Sequence, residues 1–241
     1  MKKILFVIAA LTMCAGNAKA LDFEPEEGFS WMGIFGMNVS NIQNHAFGAK
    51  AGAVLGARVD YTLPKAHGTY LTAGLDWTMK GAKGDVTVPV GGTDYKATGK
   101  YALHYFEVPV RVGFRYNTSE SFGLYGEVGP YFAVGFAGRY KIRFDEDGSA
   151  FRDAEDAATH MAFKNYGYPT ESFQRWDAGV GFRIGAEYNH HYNLLIGCDW
   201  GLADIYRVSY RDDFKDDPAN ADKVLPKVRN FNFSITFGYR L

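Results

Sequence analysis

The feature that most restricts this chain is an alternation of apolar residues at every second position, repeated in eight separate segments. The first carries Phe29, Trp31, Phe35, Met37 and Val39 on one face. The second runs from Ala49 through Leu55, Val59 and Tyr61 to Leu63, with Lys50, Arg58 and Asp60 opposite. The third sets Leu71, Leu75, Trp77 and Met79 against Thr72, Asp76 and Lys80, and the fourth sets Phe106 to Tyr116 against Glu107, Arg111 and Arg115. In the fifth, Phe122, Leu124, Val128, Phe132, Val134 and Phe136 oppose Tyr125, Glu127 and Tyr131. The sixth spans Trp176 to Tyr188 against Asp177, Arg183 and Glu187, and the seventh spans Tyr192 to Leu202 against Asn193 and Asp199. The last carries Phe231, Phe233, Ile235, Phe237, Tyr239 and Leu241.

These apolar faces hold about fifty positions, and none is Asp, Glu, Lys or Arg. With 22% of the chain charged, about eleven would be expected by chance. A soluble β-sandwich also alternates, but it buries its apolar face and leaves the polar one in water. Segment length favours a membrane: these runs approach the about 9–11 residues that cross a bilayer at a tilt. Aromatics gather at segment ends, as Phe29, Trp31, Tyr61, Phe114, Tyr116, Tyr188, Tyr192 and Tyr239 at one rim and Trp77, Phe136, Trp176 and Trp200 at the other. A closed barrel is the only sheet whose backbone groups all pair within lipid. The expected fold is therefore all-β, an eight-stranded antiparallel up-and-down transmembrane β-barrel.

Connection lengths agree. The gaps at 41–48, 81–99, 138–172 and 207–228 are long and read as outward loops, whereas Pro64 to His67, Asn117 to Ser121, and Asn189 to His191 are short turns. Eight strands then leave both termini in the periplasm. Pro109 and Pro130 fall inside strands and predict bulges or bends with local pairing lost. Residues 149–164 have the spacing of a short amphipathic helix on a loop.

The start of the chain fits export. Met1-Lys2-Lys3, the apolar stretch Ile4 to Met13 and Ala18-Lys19-Ala20 read as a cleavable secretory signal over residues 1–20. A lipoprotein signal at Leu11-Thr12-Met13-Cys14 fits less well, because Met13 stands where a small residue is wanted. Residues 21–28 would form a short periplasmic segment and 29–241 the barrel. Cys198 is then the only cysteine, so no intramolecular disulfide can form. No apolar run after the signal reaches the about 18 residues of a spanning helix. A net charge of -1 argues against nucleic acid as a partner.

The segment Tyr105-Phe106-Glu107-Val108-Pro109-Val110 resembles a strand of the porin-family outer-membrane barrels abundant in Bacteroidetes. Leu124 to Gly135 (with Gly129-Pro130-Tyr131), Trp176 to Tyr188 and the aromatic-rich last strand are similar to later strands of that family. The resemblance implies an eight-stranded, monomeric outer-membrane protein of a Gram-negative bacterium and carries no catalytic residues. Phe237, Tyr239 and Leu241 resemble the terminal signal read by the outer-membrane assembly machinery, with Leu where Phe is more usual.

A barrel of eight strands has room inside for side chains or one small ligand. Arg58, Asp76, Glu107, Arg111, Arg115, Glu127, Asp177, Arg183, Glu187 and Asp199 would share that interior. An interlocked salt-bridge network is expected, with a narrow charged pore as the alternative. Two acidic loop clusters, Asp145-Glu146-Asp147 with Asp153, Glu155 and Asp156, and Asp212, Asp213, Asp216 and Asp217, suit a solvated surface better than a calcium loop. The six histidines are scattered, and His190-His191 lies in a turn. His104 lies near the outer rim, where lipid-modifying barrels keep their active sites, without an assignable Ser or Asp partner. The expected function is non-enzymatic: an integral barrel, contacting outer-membrane lipid and lipopolysaccharide, that presents loops for interaction or envelope stability. A rim enzyme acting on lipid or lipopolysaccharide, and a small-solute channel, are the alternatives. No cofactor is expected.

Overall fold

The computed structural model describes residues 25–146, 148–163, 173–207, 212, 214–220 and 223–241. The secretory signal expected at 1–20, and residues 21–24, lie outside them. Eight long strands are present: β1 (Gly28–Gln43), β2 (Lys50–Thr62), β3 (Thr69–Val90), β4 (Thr93–Asn117), β5 (Phe122–Phe144), β6 (Trp176–Tyr188), β7 (Tyr192–Gly201) and β8 (Arg229–Arg240). Each pairs antiparallel with its neighbours in sequence, and β1 pairs with β8, from Met32 opposite Arg240 to Gln43 opposite Arg229. The sheet thus closes into an eight-stranded up-and-down ring with no free long edge.

The alternation sets the faces as the sequence predicts. Phe29 is 75% exposed, Trp176 68% and Ile235 45%, while every charged residue of the opposite face is buried. Ile184, Ile196, Ile235 and Met37 stand side by side across four strands, an apolar row around the outside of the ring. At the end that holds the termini, Phe29 packs on Tyr61 with ring centroids 4.6 Å apart, and Tyr192 on Tyr239 at 5.6 Å. The short turns also lie at this end. Asn189 and His190 adopt φ of 50° and 60°, the left-handed backbone that a tight two-strand turn uses.

Four expectations need correction. The stretch 81–99 is not a loop: β3 and β4 run on to a two-residue turn at Gly91-Gly92, closed by Val90 opposite Thr93. Both glycines have positive φ, 60° and 84°, which a side chain rarely adopts, so this pair sets the hairpin. β5 likewise continues to Phe144 and not to 137. Beyond the ring, β3, β4 and β5 therefore form a projecting three-stranded sheet, and a two-residue strand, His160–Met161, pairs with β5 there.

The prolines do not shift the register. The β3–β4 ladder passes from Ala73 opposite Val110 to Asp76 opposite Glu107, skipping the pairs around Pro109. The β4–β5 ladder similarly passes from Pro109 opposite Tyr131 to Val112 opposite Val128. Local pairing is lost because proline has no N–H, but its fixed φ fits an extended strand, so no residue is inserted. The one irregularity in that ladder lies at His104/Tyr105, where Phe136 of β5 is left without an opposite residue. The predicted helix is shorter than 149–164: α1 covers Ser149–Ala158 and lays Phe151 against Tyr95 and Phe144.

Replacing Ile196 by Arg places a charge in the middle of the apolar row and is expected to cost about 2–4 kcal/mol. Guanidinium unfolding in phospholipid vesicles measures this, and an unchanged midpoint would remove that row from the lipid.

Candidate functional site

The interior of the ring is the chemically richest part of the molecule. All ten charged residues expected there are buried in it: Arg58, Asp76, Glu107, Arg111, Arg115, Glu127, Asp177, Arg183, Glu187 and Asp199. Four others join them, Lys50, Asp60, Lys80 and Arg240. Among the described residues the buried charges are thus seven cations and seven carboxylates. A barrel interior excludes most water, so this balance removes the large self-energy that a net buried charge would carry.

The charges fall into three tiers. Nearest the termini, Arg240 reaches Asp60 at 2.6 Å and Glu187 at 2.9 Å, and donates to the Ser30 hydroxyl at 2.6 Å. Arg115 shares the same two carboxylates at 3.4 and 3.8 Å and lies over the Tyr70 ring at 4.9 Å. In the middle tier Arg183 binds Asp199 through both guanidinium nitrogens, at 2.8 and 3.0 Å. Asn232 donates to the same carboxylate at 3.2 Å and accepts from Asn38 at 2.6 Å. Arg58 bridges Asp76 and Glu127, each at 3.2 Å, and the Tyr70 hydroxyl donates to Glu127. Arg111 is held less tightly, at 3.5 Å from both Glu127 and Asp199 and outside hydrogen-bond geometry with either.

In the third tier Lys80 pairs with Glu107 at 2.9 Å and Asp177 at 3.3 Å and sits 4.5 Å from the centre of the Tyr131 ring. Tyr131 and Asn230 also donate to Asp177. Above this tier the polar interior ends against an aromatic lid. Tyr105 and Tyr131 belong to one buried cluster with Phe47, Tyr101, Phe163, Phe173, Ile205 and Tyr206. Phe173 stacks on Tyr206, and its N–H donates to the Ala162 carbonyl at 2.9 Å. Asp204 ties the lid by accepting from the N–H groups of Val228 and Tyr206, while its carbonyl accepts from the Gln174 amide.

Glycine makes this filling possible. On the inward faces of β6 and β7 glycine alternates with charge, as in Asp177, Gly179, Gly181, Arg183, Gly185 and Glu187. The Arg183 side chain lies where a Cβ at Gly197 would stand, and Asp199 and Arg111 crowd the same space at Gly181. A methyl at either point would displace the guanidinium groups from their carboxylates.

Asp60, Lys80 and Arg240 were legible as polar-face residues, since each shares the parity of its strand's inward side. Their part in the network was not, because register between distant strands decides which carboxylate each one meets. The lid has no period-two signal and was missed. Phe237, Tyr239 and Leu241 point outward, with Phe237 beside Phe35 at 6.0 Å and the Leu241 N–H bonded to the Trp31 carbonyl.

The other candidates separate. His104 stacks on Trp77 at 5.8 Å beside a recess of about 660 Å³ on the outside of the ring, and no hydroxyl or carboxylate lines that recess among the described residues. The His191 ring nitrogen bonds the Arg240 carbonyl at 2.8 Å, and His190 faces Glu187. In the first acidic cluster Glu155 accepts the Phe144 N–H at 2.8 Å, a structural bond between α1 and β5. Asp147 and Asp213 lie outside the described residues.

Comparison with known proteins adds the family. Ail, the attachment invasion locus protein of Yersinia pestis, is 14% identical, with 90% of this chain and 100% of Ail covered and a TM-score of 0.40. OprG from Pseudomonas aeruginosa is 15% identical, over 91% and 99%, with a TM-score of 0.40. Neisserial surface protein A is 12% identical, over 88% and 97%, at 0.39. No curated protein matches the chain.

Removing the Asp199 carboxylate by Asp199→Ala strands Arg183 and Arg111 and is expected to cost about 3–5 kcal/mol. Arg111→Leu, which removes the loosely held cation, is expected to cost less than half as much in the same vesicle unfolding assay. Equal losses would contradict the tiered network. The outer membrane protein β-barrel domain matches residues 16–207, and this chain, an eight-stranded ring with a charged interior, belongs to that family.

Proposed function

We propose that the mature chain resides in the outer membrane of a Gram-negative bacterium as a monomeric, non-enzymatic barrel with both termini in the periplasm. It presents the elements at its far end for interaction or envelope stability. The observation that carries this is the filled interior: seven buried cations and seven buried carboxylates, all but Lys50 joined in the three tiers, under an aromatic lid. A channel needs a continuous wet path, and ion pairs that reach across the bore in each tier speak against one. The short turns at the end that holds the termini, against the projecting sheet and the two long connections after β5 and β7 at the other, favour the termini-inside orientation. The outward aromatics Phe237 and Tyr239, with Leu241, fit a signal for the assembly machinery. Outer-membrane lipid and lipopolysaccharide are then the surroundings of the apolar belt.

Two measurements test this. Purified protein in planar bilayers is expected to give no steady single-channel current; steady currents abolished by neutralising Arg111 would replace the plug by a pore. In a Cys198→Ser background, Thr93→Cys on the hairpin tip is expected to react with a membrane-impermeant maleimide in intact cells. Reaction only after the cells are broken would invert the orientation.

A further inference from the structure

The projecting sheet carries an arrangement that the fold does not need. Lys83 of β3, Lys100 of β4 and Lys141 of β5 are directly opposite one another, three ammonium groups in one lateral row. Like charges placed directly opposite on one face of a sheet destabilise it. All three are exposed on the outward face. Lys96, Arg139 and Arg143 share that face, where Asp85 and, at the hairpin tip, Asp94 are the carboxylates contributed by the paired strands. The chain as a whole has a net charge of -1, so this is a local concentration of cations.

The irregularity at His104/Tyr105 creates it. Up to Phe136 the even-numbered residues of β5 point outward; the unopposed Phe136 reverses the phase, and Ala137, Arg139, Lys141 and Arg143 face out instead. Without that extra residue the three cations would point at the lid. Bulges that re-aim side chains in this way are features of sites. Beside the bulge lies the recess of about 660 Å³, with Met79 and Phe136 at its apolar end and Lys100, Arg139 and Lys141 at its cationic end, where Met161 stands opposite Arg139. Arg175, anchored to the Gly135 and Phe136 carbonyls at 3.1 and 3.4 Å, also lines it. The apolar end is continuous with the lipid-facing Trp77 and Phe106, and no carboxylate lines the recess among the described residues.

We infer that this recess binds the phosphorylated headgroup of an outer-leaflet glycolipid, with phosphates on Lys100, Arg139 and Lys141 and acyl chains along Met79 and Phe136. An amphiphile with anionic head and apolar tail matches the order of groups along the strands, and a phosphate relieves the repulsion in the lysine row. The assignment rests on the termini-inside orientation, which alone puts this end in the outer leaflet.

The test uses the full mature chain in neutral detergent, titrated with micelles carrying bisphosphorylated lipid A, the same lipid A stripped of phosphate, or inorganic phosphate alone. Preferential binding of the bisphosphorylated lipid is expected. The Lys100→Ala/Arg139→Ala/Lys141→Ala variant is expected to lose roughly a hundredfold in affinity, the scale set by three cations at an anionic surface. The triple exchange to Lys100→Arg/Arg139→Lys/Lys141→Arg is expected to retain binding. These side chains are exposed, so the heat-modifiable gel shift of the folded barrel is expected unchanged in both variants. Equal binding of the dephosphorylated lipid, saturation by inorganic phosphate in place of lipid, or an unaffected alanine variant would each overturn the site. Maleimide reaction at Thr93→Cys in intact cells separates this failure from failure of the orientation on which it rests.

Discussion

A backbone N–H or C=O left unpaired in hydrocarbon costs several kcal/mol, and the rest of this structure follows from avoiding that cost. Closing β1 onto β8 leaves no long edge, and the closed ring has one face toward lipid and one toward a narrow bore. The lipid face admits no charge. Charged residues of the spanning strands must therefore enter the bore, where they must neutralise one another. The apolar stripes and the buried ion pairs are two consequences of one constraint.

Within the bore, neutrality alone is insufficient, because each ion also needs its lone pairs or protons satisfied. Bidentate Arg183–Asp199, the shared carboxylates of Arg240 and Arg115, and Lys80 between Glu107 and Asp177 meet that need in successive layers. Glycines at alternate inward positions give long side chains the space to cross the bore. Large tyrosines then close the gaps, and the lid extends the same packing to segments outside the ring. The contacts that stabilise the ring are also those that fill the bore, so a variant that removed them would unpair buried charge.

The spanning strands were legible in the sequence because period-two alternation and burial on one face coincide. That signal fails where the phase changes. At Phe136 one inserted residue turns Arg139, Lys141 and Arg143 outward, and a strand that continues to Phe144 reads as a strand that ends. It fails also beyond the membrane, where β3 and β4 reverse the pattern, with Val86, Val88, Tyr95 and Ala97 on the inward parity and Lys83, Asp85 and Lys96 outward, and only Gly91-Gly92 hints at a hairpin. Pro109 and Pro130 suggested bulges or bends, yet only the pairs at and beside them are missing and the register is kept. The membership of the interior was readable from parity; the pairings inside it, such as Arg58 with both Asp76 and Glu127, depend on how eight strands stagger around a ring.

The central claim is that the odd-numbered side chains of β8 from Phe231 onward meet hydrocarbon while the even-numbered ones meet the charged interior. Nuclear Overhauser effects between detergent acyl chains and protein side chains in micelles measure this without any substitution. Contacts are predicted at Phe233, Ile235, Phe237 and Tyr239, and none at Asn232, Ser234, Thr236 or Arg240. Acyl-chain contacts at the even-numbered residues, or water contacts at the odd-numbered ones, would contradict the account.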